Sequence, residues 1–172
     1  MILGMSTELF TGIHVLLSLA GIATGFLVIF GMIGGKKLPS WTAWFFVTNI
    51  LTDVTGFLFP FKGVTPGIIV GVLSLVALAV AMIAYYVRRL AGTWRASYVI
   101  AAAVALWFNV FVLIAQSFEK IPALKAIAPT QSAPPFGITQ LAVMILMVVL
   151  TVVAYRRFRP SLLDRAFERT AK

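Results

Sequence analysis

Asp53 is the only acidic side chain inside any of the long apolar stretches of this chain. An ionisable group near the centre of a bilayer costs about 2.5–3.5 kcal/mol on insertion scales, so it has to face protein or water. Its neighbours suit such a placement. Asn49, Thr52, Asp53 and Gly56 share one helical face by i, i+3, i+4 spacing, with Thr48 and Thr55 beside it. A carboxylate set in such a stripe can hold a cation or carry a proton. The second titratable group is His14, the single histidine, with Ser18 one turn further along the same face. Asn109, Gln116 and Gln140 are isolated polar side chains in later apolar stretches. Asp53, His14, Asn49, Thr52, Asn109, Gln116 and Gln140 are therefore the candidates for a ligand or proton pathway.

Other chemistry fits these residues poorly. One histidine and one serine on a helix do not form a nucleophilic dyad, and no oxyanion donors accompany them. Gly34-Gly35-Lys36 lacks the spacing of a phosphate loop. With 5 acidic residues in all, a two-metal centre is not expected. The absence of cysteine excludes disulfides, thiolate catalysis, cysteine-ligated iron–sulfur clusters and thioether-attached haem. No catalytic or metal-binding set emerges, and a non-enzymatic role is expected ahead of an enzymatic one. One chain cannot supply a bis-histidine haem. The cofactor readings left open are a haem shared by His14 of two protomers, or a quinone.

The elements that must position these side chains are apolar runs at 9–33, 41–61, 67–87, 96–118 and 136–155. Each has about 20 residues or more, enough to cross a hydrocarbon core of about 30 Å. Charged residues make up only 11% of the chain, against about a quarter in ordinary soluble domains. The expected fold class is all-α: an integral membrane bundle of five transmembrane helices, forming one domain over 1–160, with a basic tail at 161–172. The first run carries Glu8 ahead of it, lacks a basic leader and ends at Gly34-Gly35-Lys36-Lys37, so it is read as a retained span rather than a cleaved signal.

Positive charge orients the chain. Of the 14 lysines and arginines, all but Lys62, Lys120 and Lys125 fall on one side of a five-span arrangement. The positive-inside rule places that side in the cytoplasm, with the N-terminus outside and the C-terminus inside. Trp41, Trp44, Tyr85, Tyr86, Trp94, Tyr98 and Tyr155 fall near the same interface, as an aromatic belt would. The net charge of +9 is accounted for by topology, and no base-reading or stacking surface points to nucleic acid. The expected partners are the lipid bilayer and either a second copy or another subunit of a membrane complex.

Depth brings the polar residues together. Counted from the outer ends of their runs, His14 lies about five residues in and Asp53 about eight, a difference of about 5 Å along the helix axes. Asn109, Gln116 and Gln140 also fall in the outer half. This predicts an outward-facing polar pocket in which His14 could approach Asp53. The break at 119–135 holds four of the 8 prolines and predicts a short interfacial helix near Pro122. It reads either as a lid over that pocket or as a stiffened surface loop. Gly21 and Gly25, and Gly67 and Gly71, are small-xxx-small pairs suited to packing within the bundle or to dimerisation. The third run has Ser74 as its only polar interior residue and reads as a scaffold or lipid-facing helix. The tail reads as a short helix on anionic headgroups or as a simple anchor.

Two segments, Thr55-Gly56-Phe57-Leu58-Phe59-Pro60-Phe61 and Ala128-Pro129-Thr130-Gln131-Ser132-Ala133-Pro134-Pro135-Phe136, resemble those of a group of small, uncharacterised multi-span membrane proteins of bacteria. The resemblance implies a location in the bacterial inner membrane and carries no activity. The leading functional expectation is binding or translocation of a small solute or proton at Asp53. The alternatives are a non-catalytic accessory or assembly subunit, and a quinone or haem redox module.

Overall fold

The computed structural model describes residues 1–60, 63 and 65–160. The tail at 161–172 and Lys62 lie outside the described residues. The fold is helical: α1 (Thr7–Ile33), α2 (Pro39–Phe57), α3 (Pro66–Met82), α4 (Trp94–Lys120), the short α5 (Pro122–Ile127) and α6 (Pro134–Arg157). A single π-helical turn, Ile83–Val87, extends α3.

Local sequence sets the ends of these helices. Ser6 caps α1 by accepting from the Leu9 amide at 3.2 Å, satisfying one of the amides that a helix start leaves open. At the other end Gly35 adopts a φ of +70°. The Lys36 amide then reaches the Gly31 carbonyl, and the Gly35 amide that of Met32, both at 2.9 Å. This is a Schellman motif, and the positive φ is why glycine occupies the position. Proline opens α2, α3, α5 and α6, where its missing amide costs nothing.

Four helical segments are long and apolar enough to cross a membrane: Thr7–Ile33, Pro66–Val87, Trp94–Lys120 and Pro134–Arg157. The protein is thus a helical bundle with several membrane-spanning candidates. α2 is not among them. At 19 residues its length suffices, but Thr42, Thr48, Asn49, Thr52 and Asp53 lower its hydropathy, and its run stops at Phe57 rather than at 61. All of these but Asp53 are buried inside the bundle.

α1, α2, α3 and α4 contact one another in cyclic order, and α6 packs from outside against α1 and α4. The two halves of the ring differ. The half bearing Lys36 is filled by Met32, Phe45, Phe46, Tyr98, Leu106 and Phe158, with the small residues Ala101, Ala102, Ala103 and Ala105 letting α4 approach its neighbours. Arg95 ties α6 into this half, donating to the carbonyls of Tyr155 at 2.8 Å and Phe158 at 2.7 Å. Two members expected in an interfacial belt are in fact interior. Tyr85 and Tyr98 are buried, their rings 5.1 Å apart, and the Tyr98 hydroxyl lies 3.3 Å from that of Thr42. Of the other expected belt members, Trp41, Trp44, Tyr86 and Tyr155 are exposed.

Gly21 and Gly25 face into the bundle. A Cβ on Gly21 would meet the side-chain amides of Asn49 and Asn109, and one on Gly25 would meet Leu106 and Phe45. Their role in this chain is close packing of α1 on α2 and α4. Gly71 lies against the Phe57 ring in the same way.

Candidate functional site

The half of the ring bearing Lys120 is hollow. A cavity of about 550 Å³ lies between α1, α2, α3 and α4. Its lining begins at the helix ends, with Thr11 of α1, Thr65 before α3 and Lys120 of α4. It ends deeper in the bundle at Leu19, Ser74 and Phe108. From the start of α3 to Ser74 is eight residues, or about 12 Å along the axis. The walls are mixed: Val15, Phe57, Ile68, Val112 and Leu113 supply apolar surface among the polar groups. A volume of this size suits a drug-sized ligand.

Asp53 and Thr52 line the cavity from α2. Thr52 uses its hydroxyl within its own helix, donating to the Thr48 carbonyl at 2.8 Å. Asp53 faces α3, where the Ser74 hydroxyl is its hydrogen-bonding neighbour. Its Oδ2 is sealed from solvent and has no hydrogen-bond partner among the described residues. A buried acceptor without a donor costs about 1–3 kcal/mol, and more for a charged group. A donor that reached this carboxylate would relieve that cost.

His14 lines the same cavity from α1 but turns towards the exit of α2. Its Nδ1 lies 2.8 Å from Thr55 Oγ1, and its ring packs edge-on against Phe59. The Thr55 hydroxyl has one proton, directed at the Leu51 carbonyl 2.6 Å away. It therefore accepts from His14, which places the proton of the neutral imidazole on Nδ1 and leaves Nε2 as the acceptor. Among the described residues no hydrogen bond or ion pair joins His14 to Asp53. The two share a cavity, and the expectation of direct pairing gives way to His14 held by Thr55. His14 also faces the interior of its own chain, a placement that does not present it to a second protomer for a shared haem.

The floor is a chain of amides. Ser18 donates to Asn109 Oδ1 at 2.6 Å. Asn109 Nδ2 donates to Asn49 Oδ1 at 2.9 Å, and Asn49 Nδ2 donates to the Phe45 carbonyl at 2.8 Å and to that of Gly21 at 3.3 Å. Asn49 is 1% exposed and does not reach the cavity. Its work is to join α1, α2 and α4. Asn109 does both, lining the cavity and completing the floor. Gln116 lines the rim and is exposed.

Gln140 does not belong to the site. Its Nε2 donates to the Phe111 carbonyl at 3.0 Å, on the side of α4 that meets α6, outside the ring. The loop after α4 is also displaced from its expected place as a lid. Ala128, Leu124 and Ala133 pack on Phe118 and Phe136, and none of residues 122–135 lines the cavity. It is the stiffened surface connection.

Several lining residues were invisible as site residues in the sequence: Ser74, Ser18, Thr11, Lys120 and the rings of Phe57, Phe59 and Phe108. α3, read as scaffold or lipid-facing, supplies a whole wall. The available signal was Gly67, Val70, Gly71 and Ser74 recurring at helical spacing, a face of small side chains ending in a hydroxyl. Among the described residues no three His, Asp or Glu side chains come together in a way that could hold a metal ion. Comparisons with protein-family models, with curated proteins and with solved structures return no significant match.

Proposed function

We propose that this protein is a multi-pass membrane protein that binds a small solute in the cavity between α1, α2, α3 and α4, with Asp53 as the ionisable centre. One observation carries the reading: Asp53 stands on the wall of a cavity large enough for an organic molecule, and one of its carboxylate oxygens has no hydrogen-bond donor among the described residues. A group of this kind is costly to keep unless something pairs with it. Translocation of the solute, or of a proton carried by Asp53, would be the fuller version of the same function.

The proposed setting is five spans, with α2 as the fifth. Its polar stripe is turned inward, so its low hydropathy does not bar it from the bilayer. The lysine and arginine asymmetry supports an external N-terminus and an outward-opening cavity. The resemblance of its two loop-flanking segments supports a bacterial inner membrane.

The test compares the wild type with Asp53→Asn and Val112→Phe. Asparagine keeps the shape of aspartate without its charge, and phenylalanine at 112 narrows the cavity from α4. A thermal-shift screen of small solutes should give responders with the wild type that are lost in both variants. A proton-flux assay in liposomes should show any flux falling in Asp53→Asn. Equal responses in all three proteins would remove the cavity from consideration. The accessory-subunit reading would then stand first. The Ser18–Asn109–Asn49 chain favours that second reading, because it uses polar residues to join helices.

A further inference from the structure

We infer that the solute held at Asp53 is a small organic ammonium with an apolar body, an alkyl- or arylamine. This deepens the cavity-binding reading and rests on it.

Charge sets the first half of the inference. Among the described residues Asp53 is the only acidic side chain lining the cavity, and its Oδ2 lacks a donor. The neighbouring hydroxyls cannot all turn to it. Thr52 is committed to Thr48, and Ser18 to Asn109. Ser74, across the cavity on α3, is the hydroxyl that acts on its carboxyl. An ammonium brings several N–H donors to one point, and a charge-assisted hydrogen bond is about twice as strong as a neutral one. Among the described residues the one lysine or arginine lining the cavity, Lys120, is exposed at the rim. Asp53 sits beside Ser74, about 12 Å below the start of α3, so Lys120 leaves the deep carboxylate unneutralised.

Size and wall chemistry set the second half. A bare sodium or potassium ion needs several oxygen ligands close together, and Asp53 and Ser74 supply too few. A cavity of about 550 Å³ would stay largely unfilled by such an ion. Its remaining surface is mostly apolar, with Val15, Leu19, Phe57, Phe108 and Val112 among the side chains that supply it. Those side chains gain from apolar contact, and aromatic faces near a cation add attraction of their own. The arrangement asks for one positive nitrogen at the deep end and hydrocarbon above it.

The experiment uses the full chain in lipid nanodiscs and three probes of matched shape: phenethylamine, 2-phenylethanol and 3-phenylpropanoate. Phenethylamine is expected to bind at least tenfold more tightly than either of the others. Asp53→Asn should weaken it at least tenfold and leave 2-phenylethanol unchanged. Equal affinity for the alcohol or the carboxylate, or an unchanged amine affinity in Asp53→Asn, overturns the ammonium inference while keeping the cavity as a binding site. Saturable binding of none of the three to the wild type overturns both. If Asp53→Asn fails to fold, Asp53→Glu and Val112→Phe replace it. Retention of amine binding by the first and its loss in the second support the inference, and any other pattern in the folded variants overturns it.

Discussion

Replacing Gly21 by alanine tests the floor of the cavity directly. The added Cβ would lie 2.9 Å from Asn49 Nδ2, 3.0 Å from Asn109 Nδ2 and 3.1 Å from Asn49 Cγ. These atoms are not the loose ends of flexible side chains. Asn49 is fixed by the Phe45 carbonyl at 2.8 Å, and Asn109 by Asn49 at 2.9 Å and Ser18 at 2.6 Å. Forcing an extra methyl group into a packed interior costs about 1–3 kcal/mol. Pushing the amides apart weakens two interhelical hydrogen bonds, worth about 0.6 kcal/mol each in membrane proteins. Alanine returns about 1 kcal/mol through its better helix propensity. The net expectation is a loss of about 1–3 kcal/mol. Gly12→Ala is the control in the same helix, because its Cβ would meet nothing within 4 Å. That variant should be neutral or slightly stabilised. Reversible unfolding in mixed detergent micelles measures both. A double-mutant cycle with Asn49→Ala adds a sharper criterion, since removing the amide should relieve the clash and give a coupling of at least about 0.5 kcal/mol. If Gly21→Ala proves as stable as Gly12→Ala, with no coupling to position 49, the interlocked floor is wrong.

Arg95→Ala should destabilise the chain by about 1.5–3 kcal/mol, since it removes charge-assisted bonds to two carbonyls at the end of α6. Hydrogen exchange should show the last turn of α6 opening first, and unchanged protection there would discount the clamp. Asp53→Asn should melt at or above the wild-type temperature in detergent, because it replaces a costly carboxylate by a neutral group of the same shape. A clear drop would mean the charge has a structural partner. In the proposed orientation, Lys125→Cys should react with an impermeant thiol reagent in intact cells and Lys37→Cys only after the membrane is opened, with no native cysteine to interfere. The reverse pattern would invert the topology.

What the sequence revealed depended on whether a property was local or angular. Helix ends are local. Ser6, Gly35 and the prolines at 39, 66 and 134 place the ends of α1, α2, α3 and α6 within a few residues of the apolar runs. Depth is also nearly local, because residues rise by a fixed step along an axis. His14, Asp53, Asn109 and Gln116, close in depth, all line one cavity. Rotation about the axis is not local. Gln140 has the right depth, but its position on α6 directs it to α4 from outside the ring. α3 is apolar nearly all round, so its hydropathy does not say which face meets the cavity or that Ser74 lines it. Tyr85 and Tyr98 carry the composition of an interface belt, yet packing against Phe46 and Phe158 holds them inside. Asn49 and Asp53 look alike as neighbours in a polar stripe. They stand four residues apart, so about 40° of net rotation and about 6 Å of rise separate a member of the floor from the wall of the site.

The contrast between a hollow half and a filled half has an electrical consequence. In the proposed orientation, solvent entering the cavity would carry the outside potential down towards Asp53. The membrane voltage, worth about 2.3 kcal/mol per elementary charge per 100 mV, would then fall almost wholly across the alanine- and aromatic-packed half below Asn49. A cation arriving at Asp53 would cross little of that field, and its binding would be nearly independent of voltage. Any charge that passed the Ser18–Asn109–Asn49 chain would cross nearly all of it. The amide floor would thus mark the boundary between an electrically silent step and an electrogenic one.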